Sequence, residues 1–244
     1  MLRSIFLIIV FLLSCKIEAQ EEKRYFDSPF GAGGGFSPAW FIPNFNELNS
    51  KLIGFGTPKL SNSGFFASGG AGFVYLSFIP NLRIGGIGFG GSTSGTAFKD
   101  GFEREIIYTS SFGGLTLEYS IPFSRSFAVS IGAIIGGGDT KIELFRNKST
   151  FQWDDIWTEI SDTSQYASSF SRQISKTHFV FAPTLNVDIP VYRFVSFRIG
   201  AGYAFTFGEN WQVDNEKEIF NTPSTLKGDA LFIQTGIFFG FFAY

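Results

Sequence analysis

The sequence has one cysteine, little charge and no long apolar run. Cys15 is the single cysteine in 244 residues, and charged residues make up 16% of the chain, against about 25% in an ordinary soluble domain. Nineteen basic and twenty-one acidic residues leave a net charge of −2, so the basic surface of a nucleic-acid-binding protein is missing. Because 44% of the residues are hydrophobic, the low charge also excludes a disordered chain. No apolar run reaches the about 18 residues that a membrane-spanning helix needs.

The N-terminal residues have the pattern of a secretory signal peptide. A short basic segment precedes nine consecutive apolar residues, which suits a signal peptide and is too short for a transmembrane helix. The pattern predicts a signal peptide at residues 1–19 and a single domain at residues 20–244, which then contains no cysteine for disulfides, thiol catalysis or metal binding. The alternative is acylation of Cys15, whose preceding residues resemble a bacterial lipobox except for Leu13.

In two segments, apolar residues alternate with small or polar residues as in β-strands, and both segments are unusually long. In residues 195–207 every odd-numbered residue is apolar and every even-numbered residue is small or polar. Residues 178–189 alternate in the same way, and Pro183 within them predicts a β-bulge, because a closed barrel has no free edge for proline. Strands of soluble proteins average about 5–6 residues, whereas a tilted strand needs about 9–11 residues to cross a bilayer. The lengths therefore favour transmembrane strands.

Three Ile-Pro dipeptides, at residues 79–80, 121–122 and 189–190, each separate two apolar runs. Proline cannot donate to a strand ladder, so each dipeptide marks the end of a strand and a turn. The pattern predicts three hairpins, which pair residues 65–79 with 82–95, 105–121 with 126–145, and 178–189 with 194–207.

Two further strands bring the number to eight. Residues 230–244 predict a last strand, and residues near 31–43 predict a first strand that Pro38 interrupts. The segments at 147–177 and 208–229 are long and polar. Short connections that alternate with long ones are typical of outer-membrane barrels, which have short periplasmic turns and long extracellular loops.

One short amphipathic helix is predicted between the first two strands. Residues 45–53 place apolar side chains on one helical face. Asn44 and Glu47 fit a capping box at its start, and Gly54 fits a stop at its end. We expect this helix on the barrel rim or in the first loop, as a packing element.

The last strand resembles the C-terminal strand by which the barrel-assembly machinery recognises outer-membrane β-barrels, since it is apolar and ends on the aromatic Tyr244. With the signal peptide, the eight strands and the loop asymmetry, residues 25–244 resemble small bacterial outer-membrane barrels of the eight-stranded OmpA/OmpX type. The resemblance implies an all-β, antiparallel, up-and-down transmembrane β-barrel in the outer membrane of a diderm bacterium, with its apolar face toward lipid. It rests on pattern, so it transfers no functional residues.

Four charged residues fall on the strand face opposite the apolar face. Arg83, Glu118, Asp188 and Arg198 all lie a short way along the chain from an Ile-Pro turn, so we expect them to meet in the periplasmic half of the lumen. Two arginines and two carboxylates would neutralise each other there, as buried charges must. Two interpretations remain: a gate in a narrow pore, or a plug that satisfies the interior, which is favoured.

The only histidine, His178, is predicted to face inward near the outer end of its strand. The preceding loop contains candidate triad partners: Ser161, Ser171, Ser175, Asp154 and Asp155. A catalytic triad needs hydrogen-bonded geometry, which residue types alone do not supply, so we expect no enzyme. Asp154, Asp155 and Glu159 lack the spacing of a calcium-binding loop, and no metal or other cofactor is predicted.

Three tryptophans, Trp153, Trp157 and Trp211, lie in the polar loops. They predict either recognition of an extracellular ligand or anchoring at the membrane interface. The function predicted overall is structural, adhesive or surface-recognising, through the long loops. The alternatives are a narrow passive channel for small solutes, which requires an open lumen, and a soluble exported β-barrel or lipoprotein that binds an apolar ligand, which requires apolar residues inward.

Overall fold

The chain forms a closed ring of antiparallel strands. The computed structural model describes residues 30–122, 127–148, 150–161, 169–192, 194–208, 210–223 and 225–243. The predicted signal peptide, Cys15 and Tyr244 lie outside the described residues.

Most elements along the described part of the chain are strands. They are β1 (Phe30–Phe36), β2 (Ala39–Pro43), α1 (Asn46–Phe55), β3 (Phe65–Tyr75), β4 (Leu82–Lys99), β5 (Phe102–Pro122), β6 (Ala128–Asn147), α2 (Trp153–Ser161), β7 (Phe170–Tyr192), β8 (Val195–Phe207), β9 (Gln212–Val213), β10 (Lys217–Glu218) and β11 (Ala230–Ala243). Neither helix, among the residues described, is long and apolar enough to cross a membrane.

The ring has eight positions. Strands β1 and β2 together occupy the first, because both pair with β3 on one side and β11 on the other. Strands β3 to β8 follow in chain order, and β11 closes the ring against β8. The predicted antiparallel up-and-down barrel of eight strands is confirmed, as are the three hairpins. We call the end that carries their short turns the periplasmic end.

Two prolines interrupt hydrogen bonding without changing the register. Across Pro38, Phe36 pairs with Gly70 and Ala39 with Ala67, so three residues oppose three. The bulge predicted at Pro183 is wrong for the same reason: pairing with β8 lapses there and resumes in the same register. The missing N–H of proline removes a bond, but the barrel needs no extra residue to accommodate it. The register shift in β7 lies instead between Pro190 and Tyr192, beside the periplasmic turn.

The predicted helix is confirmed, but both of its ends differ from expectation. Asn44 does not cap it; its Oδ1 accepts the N–H of Asn46 at 3.0 Å, a local turn that precedes the helix. The helix continues through Gly54 to Phe55 and is capped by Gly56, which has a φ of 87° and donates its N–H to Leu52 O. Glycine tolerates this left-handed conformation best, which places the stop two residues later than predicted.

Outward-facing side chains change from apolar to polar along the strands. Toward the periplasmic end of β5, Leu115 and Leu117 point outward and are 66% and 50% exposed. Beyond Phe112, toward the other end, the outward positions are mostly polar, with Glu105 and Thr109 on either side of the apolar Ile107. Exposed apolar residues continue this belt around the ring: Ile131, Ile135, Phe181, Leu185, Ile199, Tyr203, Ile233 and Ile237. The belt is suited to hydrocarbon, and the outward surface beyond it is suited to water.

Candidate functional site: the filled lumen and the extracellular sheet

Four charged side chains meet inside the periplasmic half of the barrel. Arg83 and Glu118 face each other across β4 and β5, and Asp188 and Arg198 face each other across β7 and β8. All four are at most 4% exposed. Each pair lies near the short turn of a hairpin, so the two pairs stand at a similar depth on different walls. We call these residues the ionic quartet.

Ion pairs of the quartet cross the lumen. Arg198 Nε lies 2.6 Å from Asp188 Oδ1, and its Nη1 lies 3.0 Å from Glu118 Oε1. Arg83 Nη2 lies 2.8 Å from Asp188 Oδ2 and also 2.8 Å from Glu118 Oε2. Each guanidinium therefore contacts both carboxylates, and the four formal charges cancel. Mutual pairing of this kind is what allows charges to remain buried.

Polar and aromatic neighbours complete the ionic quartet. Ser130 Oγ accepts a hydrogen bond from Arg83 Nη2 at 2.6 Å and donates one to Asp188 Oδ2 at 2.8 Å. The ring centroid of Phe73 lies 4.8 Å from Arg83 Cζ and 5.7 Å from Arg198 Cζ. Cation–π attraction to this ring adds to the ion pairs. The quartet is thus held from its sides as well as across the lumen.

Two inward glycines make room for this polar layer. A Cβ at Gly132 would lie 2.7 Å from Glu118 Cγ, and a Cβ at Gly200 would overlap the side-chain amide of Asn186. Asn186 Nδ2 donates to Glu118 Oε1 at 3.2 Å, and Asn186 Oδ1 accepts a hydrogen bond from Gln234. The missing side chains therefore provide the volume that the large polar groups fill.

A layer of phenylalanines fills the lumen above the quartet. The Phe41 ring lies 5.3 Å from Phe112, 5.8 Å from Phe232 and 5.9 Å from Phe89, measured between centroids. These distances lie within the favourable range for aromatic pairs. The alternation pattern does not predict this layer, because apolar residues flank both Phe41 and Phe232 and hide the period. An unbroken apolar run inside a barrel strand is the signal that could have found it.

Helix α1 covers the extracellular mouth. Phe45, which precedes the helix, packs edge-on against Tyr108 with centroids 4.8 Å apart, and Leu52 of the helix is 2% exposed. Asn49 fixes the following loop, because its side chain donates to Leu60 O at 2.9 Å and accepts from Leu60 N at 2.8 Å. The helix is therefore part of the barrel core and not a free loop element.

The three predicted loop tryptophans separate into one buried and two exposed residues. Trp211 is 3% exposed and its Nε1 donates to Leu226 O at 3.1 Å, so the expectation of an exposed aromatic is wrong for this residue. It is buried because β9, which follows it, pairs with β7 and holds this part of the chain against the barrel. Trp153 and Trp157 on α2 are 73% and 53% exposed, with ring centroids 5.6 Å apart.

Strands β4 to β7 continue past the apolar belt as an open sheet, the extracellular sheet. In β5 the continuation comprises residues 102–111, which at about 3.3 Å per residue and a tilt of about 40° rise roughly 25 Å above the belt. One edge of the sheet, on β7, is covered: Ile174 and Ser175 pair with Val213 and Gln212 of β9. The chain thus protects this edge with its own short strand.

The opposite edge of the extracellular sheet, on β4, is open. Pairing between β4 and β3 ends at Gly91, and nothing in the described part of the chain pairs with that edge over residues 92–99. The segment contains no proline, and its only charge is Lys99 at the end. Pro58 approaches its inner face at Gly95. An edge without proline or inner charge is able to pair with an extended segment of another protein.

His178 faces inward, as predicted, and is 4% exposed. Its Nδ1 lies 3.3 Å from the carbonyl oxygen of Lys176. Ser171 and Ser175 have the opposite phase on β7, so their side chains point to the other face. Asp154 is exposed on α2. Among the side chains that the structure describes, His178, Ser171, Ser175 and Asp154 therefore do not form a triad.

No cluster of three His, Cys, Asp or Glu side chains that would suit a metal ion occurs among the residues described. The side chains of Ser161, Asp155 and Glu159 lie outside that description. The predicted lack of a calcium site in the acidic loop therefore stays a prediction.

Comparison with known proteins gives similarity of fold only. No protein-family model and no curated protein matches the chain. Among solved structures, Ail, the attachment invasion locus protein of Yersinia pestis crystallised with the heparin analogue sucrose octasulfate, is 11% identical, with 87% of this chain and 97% of that chain covered and a TM-score of 0.42. A major outer-membrane protein of Thermus thermophilus is 9% identical, with 86% and 99% covered and a TM-score of 0.48.

Neisserial surface protein A is 11% identical to the chain, with 87% and 97% covered and a TM-score of 0.40. The chain resembles small outer-membrane β-barrels. The apolar belt agrees with that likeness, because a closed ring pairs its backbone groups internally and can face hydrocarbon. At such low identity, the ligands and activities of these neighbours are not transferred to this chain.

Proposed function

We propose that the protein is a surface-recognition protein of the outer membrane of a diderm bacterium. It presents the extracellular sheet, α2 and the loops around them to partners outside the cell. The observation that carries the proposal is a contrast: the lumen is filled with side chains, whereas the sheet above the membrane has a free edge over residues 92–99.

A passive channel has less support. The ionic quartet and the phenylalanine layer occupy the lumen at two depths, and α1 covers the mouth. A gate would have to separate charges that are at most 4% exposed and paired on both sides. We therefore take the quartet as a plug. A soluble barrel with an apolar ligand inside has less support still, because Leu115 and Ile131 are apolar and exposed on the outside.

The free edge is tested with cells that display the full chain. Ser94→Lys together with Thr96→Lys adds two charges to the edge strand, and lysine on an edge opposes strand pairing. We expect adhesion of these cells to a surface coated with immobilised extracellular proteins to fall about tenfold. The matched control is Thr109→Lys with Ser111→Lys on β5, which lies on the same face but is paired on both sides. Equal loss in both variants would contradict a role for the edge.

The lumen is tested by recordings in planar bilayers. We expect no steady single-channel current from the full-length protein, because the quartet and the phenylalanine layer leave no open path. Arg83→Met should lower stability without opening a current, since Phe41 and Phe232 still fill the lumen above it. A large steady current from the unaltered protein would refute the plug and restore the channel as the leading hypothesis.

Export with cleavage after Ala19, and assembly through the last strand, are further parts of the proposal. The full chain is expressed, outer membranes are isolated, and unheated and boiled samples are compared in SDS. A folded barrel resists SDS until heated, so we expect a band that shifts on boiling. Mass spectrometry of the mature N-terminus distinguishes Gln20 from acylated Cys15. Recovery in the soluble periplasmic fraction without a shift would exclude a membrane barrel.

We also propose that the protein is not an enzyme. His178 is the only histidine, and its hydrogen bond is to a backbone carbonyl. A base needs a nucleophile within hydrogen-bond reach. Esterase and protease assays on the folded protein should therefore show no activity; activity that disappears in His178→Ala would overturn this part of the proposal.

A further inference from the structure

The segment at residues 208–229, which we call the mouth segment, folds back onto the barrel opening. Trp211 and Ile219 pack with the core of the upper lumen, and Ile219 N donates to Trp211 O at 2.8 Å. At its end, Asp229 Oδ1 accepts hydrogen bonds from the backbone N–H of Thr206 at 2.8 Å and from its hydroxyl at 2.7 Å. The mouth segment is therefore a covering held at several points.

His178 lies where both ends of the mouth segment leave the barrel wall. Gly208 has a φ of 144°, and a Cβ there would lie 3.1 Å from His178 Cα. A Cβ at Gly228 would lie 3.3 Å from His178 Cε1, and one at Gly138 of β6 would lie 3.0 Å from its Nε2. The backbones of the mouth segment at Gly228 and of β6 at Gly138 thus lie close to the imidazole, while Gly208 packs against the backbone of His178, which leaves little room for water around the ring.

The charged groups around His178 are of both signs. Lys176 lies two residues away on β7 and has the same phase, so its charge faces the same side. Asp139 of β6 pairs with Thr177, next to His178, and points to the opposite, outward face, whereas Asp229 lies on the mouth segment. Both carboxylates already accept a threonine hydroxyl: Thr177 Oγ1 at 2.7 Å from Asp139 Oδ1, and Thr206 Oγ1 from Asp229. An imidazolium at this site would need a second acceptor or water.

We propose that His178 is an acid-sensitive latch for the mouth segment. Uncharged, the ring packs against Gly228 while Gly208 packs against the backbone of His178, and the segment stays closed. When the ring gains a proton, the cation draws water between the ring and the segment, and residues 210–223 separate from the barrel opening. The latch goes beyond the proposed recognition function, because it exposes a different extracellular surface at low pH. Histidine is the residue whose charge changes between about pH 5 and 8.

The test is hydrogen–deuterium exchange on the full-length protein in lipid nanodiscs at about pH 7.5 and about pH 5. With intrinsic exchange rates corrected for pH, we expect amide protection in residues 210–223 to fall about tenfold at the lower pH, while β5 is unchanged. His178→Gln stays neutral and should abolish the response. Equal or greater protection of the unaltered protein at low pH would overturn the latch, and so would a response that survives in His178→Gln.

A second variant keeps the test decisive where His178→Gln does not fold. Asp229→Asn removes a carboxylate that favours the imidazolium, so the latch predicts the same opening with its midpoint at lower pH. If protonation of Asp229 itself opened the segment, the variant would be open already at about pH 7.5. That result would assign the response to the carboxylate and refute the histidine latch.

Discussion

The two halves of strand β5 carry opposite side-chain patterns. In the half inside the apolar belt, the outward residues Leu115 and Leu117 are apolar and exposed. The inward residues between and beside them, Thr116 and Glu118, are polar and at most 7% exposed. Here the strand places polar groups in the protein interior and apolar groups outside.

Above the belt the same strand follows the usual pattern of a water-soluble protein. The inward residues Ile106 and Tyr108 are 0% and 4% exposed, and most outward residues, such as Glu105 and Thr109, are polar, with Ile107 as an exception. The phase of the strand does not change between the halves; only the chemistry of each face does. The difference teaches that the surrounding solvent, hydrocarbon or water, decides which face is apolar.

The largest expected loss of stability in the lower half follows from removing one charge of the ionic quartet. Arg198→Met leaves Glu118 and Asp188 to share Arg83, and an incompletely paired buried carboxylate costs about 3–5 kcal/mol of folding free energy. Urea unfolding from lipid vesicles, followed by the SDS-resistant fraction, measures the loss. Replacing all four residues by apolar ones is the control and should cost less, since no buried charge remains; a greater cost would contradict the pairing argument.

In the upper half, the next largest expected loss of stability follows from truncating the buried Trp211. Trp211→Ala removes a side chain that is 3% exposed, and we expect a loss of about 3–4 kcal/mol. The matched variant Trp153→Ala, at a residue 73% exposed, should change stability by less than about 0.5 kcal/mol. Both values come from the same unfolding measurement. Similar losses would mean that α2 is also packed against the protein.

The height at which the apolar belt ends can be tested by placing one positive charge at two positions along β5. Leu117→Arg puts the charge into the lipid-facing belt and should cost about 2–3 kcal/mol. Thr109→Arg puts it on the same face above the belt and should cost less than about 0.5 kcal/mol. The folded fraction in vesicles is measured for each. Equal costs at the two heights would show that the belt is misplaced.

The smallest expected effect is the difference in stability between an inward and an outward isoleucine substitution. Ile134 points inward and is 2% exposed, whereas its neighbour Ile135 points outward and is 47% exposed. Ile134→Val should cost about 0.5–1.5 kcal/mol, because it leaves a cavity in a packed interior. Ile135→Val should cost less, since lipid chains fill the space. A greater cost for Ile135→Val would reverse the assignment of the two faces.

Strand pairing could be predicted well from the sequence, and interior packing could not. Arg83, Glu118, Asp188 and Arg198 were predicted together because alternation gives the face and the distance from each turn gives the depth. The phenylalanine layer around Phe41 was not predicted, since alternation is lost wherever both faces of a strand are apolar.

Loop positions were the least predictable part of the candidate site. The pattern of polar residues around Trp211 is that of an exposed loop, yet the residue is buried beside Leu226. Its burial depends on β9 pairing with β7, a contact between segments far apart in the chain. Residues Trp153 and Trp157 lie in a similarly polar segment and are exposed. Local composition therefore does not separate the two outcomes.

The sequence by itself determined the number and phase of the eight barrel strands, because a period of two residues is a local property that lipid and lumen impose on every strand. It also determined which charges face inward. Only the tertiary structure decided that the quartet joins two hairpins across the lumen, that α1 and Trp211 cover the mouth, and that β4 keeps a free edge while β9 covers the edge of β7. These features depend on contacts between distant segments once the ring has closed, and no local pattern encodes them.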